Sequence, residues 1–200
     1  LIEFDCNDCG LKGGIPTEVA LLTSLETLVL ADNLLSASLP SQIMVMPSLV
    51  TFDISRNAIV GSIPSSIAMK RLEAFRAQNN KLTGKIPTQF GSLSNLTELI
   101  VRGNNLTGDI PTELGQIASL SILDLSHNAI GGQVPSEIGT LGRLTDIYLQ
   151  GTSITGNLDD LFCAATLSLV AANCGGDNPS VICTCCTLCC DSNGINCEIP

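Results

Sequence analysis

The chain has 200 residues, 44% of them hydrophobic and 14% charged, with a mean hydropathy of +0.37, which excludes a disordered segment. Nine Lys and Arg against 19 Asp and Glu leave a net charge of −10, which argues against nucleic acid as a partner. The nearest thing to a membrane span, the apolar stretch Leu161 to Ala172, is too short to cross a bilayer, so a membrane enters only through an anchor outside this segment. The chain opens on Leu1, neither an initiator Met nor the start of a signal peptide, and a processed or trimmed secreted segment is expected. Cys6 and Cys9 follow, and no further Cys occurs until Cys163.

From Pro16 onward the sequence repeats. Pro40, Pro64, Pro87, Pro111 and Pro135 follow at spacings of 24, 24, 23, 24 and 24, and Asn33, Asn57, Asn80, Asn104 and Asn128 each stand seven residues before the next of these five. The same offset lands on Cys9 at the start and on Thr152 after Asn128, where the stack is expected to stop. Apolar positions hold their place around each Asn: Leu96, Leu99, Val101, Leu106, Ile110, Leu114 and Ile117 surround Asn104. Gly61, Gly84, Gly108 and Gly132 recur four residues after an Asn, with Ala37 as the exception. Leu123 and Leu125 alternate with polar neighbours as in a short half-buried strand, and the Gly and the Ile-Pro or Val-Pro that follow punctuate a turn. With one Tyr, five Phe and no Trp, the core has to be filled by aliphatics in a regular arrangement. A single unit of ~24 residues cannot offset its conformational entropy alone, so units must stack. Each Asn is expected to point inward and satisfy backbone groups that the turn leaves unpaired. The unit around Met69, Lys70 and Arg71 is one residue short, which places a small irregularity on the convex side.

These residues resemble the leucine-rich repeat. The string from Leu96 to Ile117, LTELIVRGNNLTGDIPTELGQI, is similar to the plant-specific subtype, and the resemblance covers residues 1 to about 162. It implies an α/β fold: a right-handed solenoid of about seven coils with one parallel concave sheet and short 3-10 or irregular turns on the convex side. Residues 1–162 are the expected solenoid and 163–200 a Cys-rich cap. Leu1, Phe4 and Cys6 take the strand positions held later by Leu25, Leu28 and Leu30, so the chain begins inside a repeat and an upstream cap is expected to be missing. Cys6 and Cys9 face inward three apart and pair with each other or with partners outside the segment, the local pair being slightly favoured.

The tail holds Cys163, Cys174, Cys183, Cys185, Cys186, Cys189, Cys190 and Cys197. Its C-x-C-C-x-x-C-C run suits a thiolate metal cluster, but the count is even, no His accompanies it, and the rest of the chain reads as secreted. Disulfides and no metal are therefore expected, with 105 connectivities open. The tail resembles the Cys-rich terminus of diatom leucine-rich repeat proteins.

No enzyme chemistry is expected and no cofactor. His127, the only His, neighbours Asp124 and Ser126, which strand alternation turns outward onto the concave face. An open strand surface offers neither an oxyanion hole nor a substrate pocket, so the trio reads as solvated residues of a binding face. The CNDC string at 6–9 lies in a repeat strand and not in the βαβ unit a redox motif requires. The sequons at Asn95 and Asn105 are expected glycosylation sites, Asn105 pointing outward beside Asn104. Candidate ligand contacts on the concave face are Arg56, Arg76, Ile100, Arg102, Asp124, His127 and Tyr148. The three arginines lie on successive coils, with Asp53, Glu98 and Asp124 placed to separate their charges. The resemblance implies a secreted or cell-surface module that binds a peptide or protein on its concave face; the arginines call for a ligand with an acidic group, a peptide carboxylate or an anionic glycan, docking across coils three to six, and a monomer in isolation is expected. Two alternatives are an inhibitor of a secreted glycosidase, similar to plant polygalacturonase inhibitors, and a structural cell-wall adhesion repeat.

Overall fold

The computed structural model describes residues 1–163, 167–175, 179–191, 193–194 and 197–198; the rest of the Cys-rich tail lies outside the described residues. Short strands recur once per repeat: Glu3–Asp5, Thr27–Val29, Thr51–Asp53, Ala74–Arg76, Glu98–Ile100, Ile122–Asp124 and Asp146–Tyr148. Each pairs in parallel with the next, and the register never slips. Leu28, Phe52, Phe75, Leu99, Leu123 and Ile147 consequently form one inward column, every member at most 1% exposed. A slip of one residue would turn this column into solvent, and its burial is what holds the register.

The return path runs through 3-10 helices at Thr17–Leu21, Ile43–Val45, Thr88–Ser92, Thr112–Gln116 and Ile138–Thr140. The short unit around Met69 has none among the described residues, as its missing residue implies. Phe52, Phe75 and Phe90 pack edge to face, with ring centroids 5.8 and 5.1 Å apart, and supply the only aromatic stack of the described core. The architecture is that of the leucine-rich repeat solenoid.

A second parallel sheet departs from the sequence expectation of a simple turn. Val60–Ser62, Lys81–Gly84, Asn105–Asp109, Ala129–Gly132 and Ser153–Ile154 pair side by side on the flank of the solenoid. The recurrent glycine lets the chain bend there: Gly61, Gly84, Gly108 and Gly132 all have φ between 73 and 80°.

The stack does not stop at Thr152. Leu169–Ala172 adds in parallel to Asp146–Tyr148, Leu188–Cys190 adds to that, and Cys197–Glu198 closes the ten-stranded sheet antiparallel. Asn173 explains how the sheet continues without a ladder Asn at 152. Its Oδ1 accepts the Gly151 N–H at 2.8 Å and its Nδ2 donates to the Thr152 carbonyl at 2.9 Å. All ten Cys are bridged, as Cys6–Cys9, Cys163–Cys185, Cys174–Cys189, Cys183–Cys186 and Cys190–Cys197. At the opposite end the inward-facing Leu1 and Phe4 of the first coil are left exposed, while Cys6 packs against the core. Leu1, Ile2, Phe4, Leu21 and Leu34 are exposed, beside a hollow of about 340 Å³ lined mainly by Leu, Ile and Val.

Candidate functional site

The concave face is ruled into columns by the constant register. The first runs Asp53, Arg76, Ile100, Asp124, Tyr148 and Ala171. Two residues further along each chain lie Ser55, Gln78, Arg102, Ser126, Gln150 and Asn173, joined by the continuing backbone ladder. The next residue of each coil is held at positive φ: Asp8, Asp32, Arg56, Asn79, Gly103, His127 and Gly151. Each of the non-glycine members costs on the order of 1–3 kcal/mol there, and Asp, Asn and His tolerate the conformation best. Arg56 is the odd member.

The three arginines therefore do not form one cluster, because each stands in a different column. Arg56 Nη1 pairs with Asp32 Oδ2, one coil back, at 3.0 Å, and not with Asp53, whose Oδ1 accepts the Ser55 N–H. Arg76 Nη2 lies 2.6 Å from Glu98 Oε2, one of the acids expected to separate the arginines, and the pair is half-buried. Arg102 is exposed, and its guanidinium has no ion pair or hydrogen bond among the described residues. Ile100 and Tyr148 are half-buried in the first column on either side of Asp124.

Asp124 and Ser126 turn outward but are not solvated: Asp124 is 9% exposed and Ser126 0%. Ser126 Oγ donates to Asp124 Oδ1 at 2.6 Å and its N–H donates to the same atom at 3.1 Å. Burial pushes the Asp124 carboxyl up from 3.8; the two Ser126 bonds and the nearby Arg102 and His127 oppose that shift. Burial and the carboxylates of Asp146 and Asp124 push the Tyr148 phenol up as well. His127 stands outside the Ser126–Asp124 bond, its Nδ1 against Gly151, where a side-chain carbon would come within 2.7 Å. Serine and histidine are thus not linked as a nucleophile and its base must be.

Of the sequons, Asn105 is exposed and its amide is unbonded among the described residues, whereas Asn95 Nδ2 donates to the Lys70 carbonyl at 2.8 Å. Asp159, Cys163 and Cys185 bring an oxygen and two sulfurs within 4.8 Å, but the sulfurs are spent on their mutual bridge and Asp159 accepts from Thr184. Sequence reasoning gave no role to Gln78 or Gln150, and read Ser126 as a solvated residue of this face. It missed Asn173 and Gly194, which belong to no repeat and reach the sheet only through the fold of the tail.

Residues 70–130 and 48–69 match family models described as leucine-rich repeat. No curated protein matches the chain. Among solved structures, the plant peptide hormone receptor RGFR1 in complex with RGF2 is 32% identical over 79% of this chain and 26% of its own, with a TM-score of 0.75. The PEPR1–AtPEP1 structure is 29% identical over 86% of this chain and 26% of that one, with a TM-score of 0.79. The Arabidopsis receptor kinase HAESA ectodomain, in complex with an extended IDA peptide hormone, is 25% identical over 94% and 38%, with a TM-score of 0.70. The chain thus spans roughly a quarter to two fifths of the receptors it resembles.

Proposed function

We propose that the chain is a non-enzymatic extracellular recognition module, of a secreted protein or a receptor-like ectodomain, that takes a protein or peptide ligand on its concave face. The observation that carries this reading is Arg102. In a chain of net charge −10, an exposed guanidinium at the middle of the concave sheet makes no ion pair or hydrogen bond among the described residues, although its charge reaches the buried Asp124, while Arg56 and Arg76 are each paired with an acid. A guanidinium in that state offers paired donors to a carboxylate or sulfate, with Ile100 and Tyr148 as apolar contacts in the neighbouring column. Resemblance to receptors solved with peptide hormones supports a peptide as the ligand. Five disulfides suit an oxidising, extracellular compartment.

Binding of acidic octapeptides and of a heparin octasaccharide, measured by calorimetry, tests the reading. Arg102→Glu should weaken whichever class binds by at least about 30-fold, since it replaces an attractive charge contact with a repulsive one. Its melting temperature should fall only modestly, by about 2–4 °C, because the side chain is exposed and makes no ion pair or hydrogen bond among the described residues, though its charge eases the buried Asp124. Unchanged affinity in Arg102→Glu would move the site off this face. Protein secreted from a eukaryotic host should carry N-glycan at Asn105, whose amide is free, and less at Asn95. Mass spectrometry of the tryptic peptides reads both, and bare Asn105 would count against secretion.

A further inference from the structure

The column that holds Arg102 contains two unexplained atoms. Gln78 Oε1 and Gln150 Oε1 are buried and accept no hydrogen bond among the described residues. Gln150 as a whole is 8% exposed. A buried carbonyl oxygen without a donor is costly and uncommon, and a folded chain that keeps two of them on one face needs a reason. They lie in one row: Gln78, Arg102, Ser126, Gln150, one residue per coil. Ser126 is already spent on Asp124, so the row reads acceptor, free guanidinium, spent hydroxyl, acceptor. The far end of the row is closed by the tail. Gly194 lies so tightly on Gly151 and Gln150 that an added side-chain carbon would stand 2.7 Å from Gly151 Cα and 2.9 Å from the Gln150 carbonyl carbon.

Resting on the concave-face reading above, we infer that this row recognises the backbone of an extended peptide. Each glutamine swings its carboxamide outward to accept a ligand N–H, while Arg102 takes an acidic group between them. Three strand spacings of ~4.8 Å put the two glutamines ~14 Å apart, which an extended chain at ~3.3 Å per residue covers in about four residues. A glycan's hydroxyls can donate to the same oxygens, so peptide is favoured by the match of the ~14 Å separation to about four extended residues and by the likeness to receptors solved with peptide hormones. Oxygens left unpaired in the free protein and paired in the complex add to the difference between the two states, and that difference is what sets affinity.

Gln78→Met and Gln150→Met, near-isosteric and without the oxygen, test the inference. Each should raise the melting temperature by about 2–4 °C, because an unpaired buried acceptor is removed. A fall in melting temperature would show the oxygen held by an internal bond and would overturn the inference. For binding, an immobilised library of linear octapeptides serves as the probe, with a heparin octasaccharide as the competing class. Captured peptides should lose about tenfold in affinity to each Met variant. N-methylation of two ligand amides about four residues apart should weaken binding to wild type and add no further loss in the matching Met variant. Peptides that lose affinity for Arg102→Glu but bind the Met variants like wild type would refute the row and leave the concave site standing. Binding of heparin without peptides would refute peptide selection alone, and binding of neither would overturn both.

Discussion

Asp124 shows how a single residue can work against the stability of its fold. Its carboxyl is buried, so its folded-state pKa lies above the 3.8 of an ordinary aspartate. Between those two values the folded chain binds more protons than the unfolded one, and stability falls as pH rises through that window. Above the window the charge stays buried, eased by the two Ser126 hydrogen bonds and the nearby Arg102 and His127. Asp124→Asn keeps an acceptor for Ser126 without the charge. It should therefore be more stable than the parent at pH 7, with the advantage gone at pH 3, below both pKa values. Urea melts at the two pH values measure it, and equal stability at pH 7 would mean the carboxylate is compensated. Arg56 illustrates the opposite balance, a strained backbone at φ 51° held beside a matched ion pair to Asp32.

At the scale of the repeat, the asparagine ladder joins one coil to the one before it. Asn104 Oδ1 accepts the Leu82 N–H at 2.9 Å, while Nδ2 donates to the carbonyls of Ala77 at 3.0 Å and Val101 at 2.9 Å. Asn33, Asn57, Asn80 and Asn128 make the same set of bonds in their own coils. Truncating Asn104 leaves buried backbone groups on two coils without partners, at a cost of ~1–3 kcal/mol in the Asn104→Ala variant. Chemical denaturation should show that loss with an unchanged slope. A loss below about 0.5 kcal/mol would mean that the coils are held by aliphatic packing alone.

The molecule as a whole is an aliphatic stack whose last coils are laced by disulfides. Cys163–Cys185 and Cys174–Cys189 close loops of 22 and 15 residues around strands that continue the concave sheet. Replacing both Cys163 and Cys185 by Ser should cost about 3 kcal/mol through the freed unfolded chain. Hydrogen exchange should locate the added opening in the tail strands, with Leu99 and Leu123 remaining protected. Uniform loss of protection along the chain would instead make the tail essential to the entire stack.

Much of this structure was legible in the residues. A Pro and Asn period of 24 and a constant apolar pattern dictate the strand register, because any slip exposes Leu99 or Leu123; the same period places Asn104 and its equivalents at the turn. The even Cys count in an otherwise secreted-looking chain implied disulfides before any pairing was known. Other features depend on distance in space and had no local signal. Arg56 pairs with Asp32, one coil back in its own column, and not with Asp53, whose carboxylate accepts the Ser55 N–H. The flanking second sheet arises only when four glycine bends stack in register. Thr152 read as the end of the stack, yet Asn173, from outside the repeat, supplies the missing amide. Gly194 reaches Gly151 because the Cys190–Cys197 bridge turns the tail back. Periodic order is written in the sequence because every coil solves the same packing problem, whereas ion pairing and the tail's course are settled between residues far apart in the chain, by contacts that exist only once the coils have stacked.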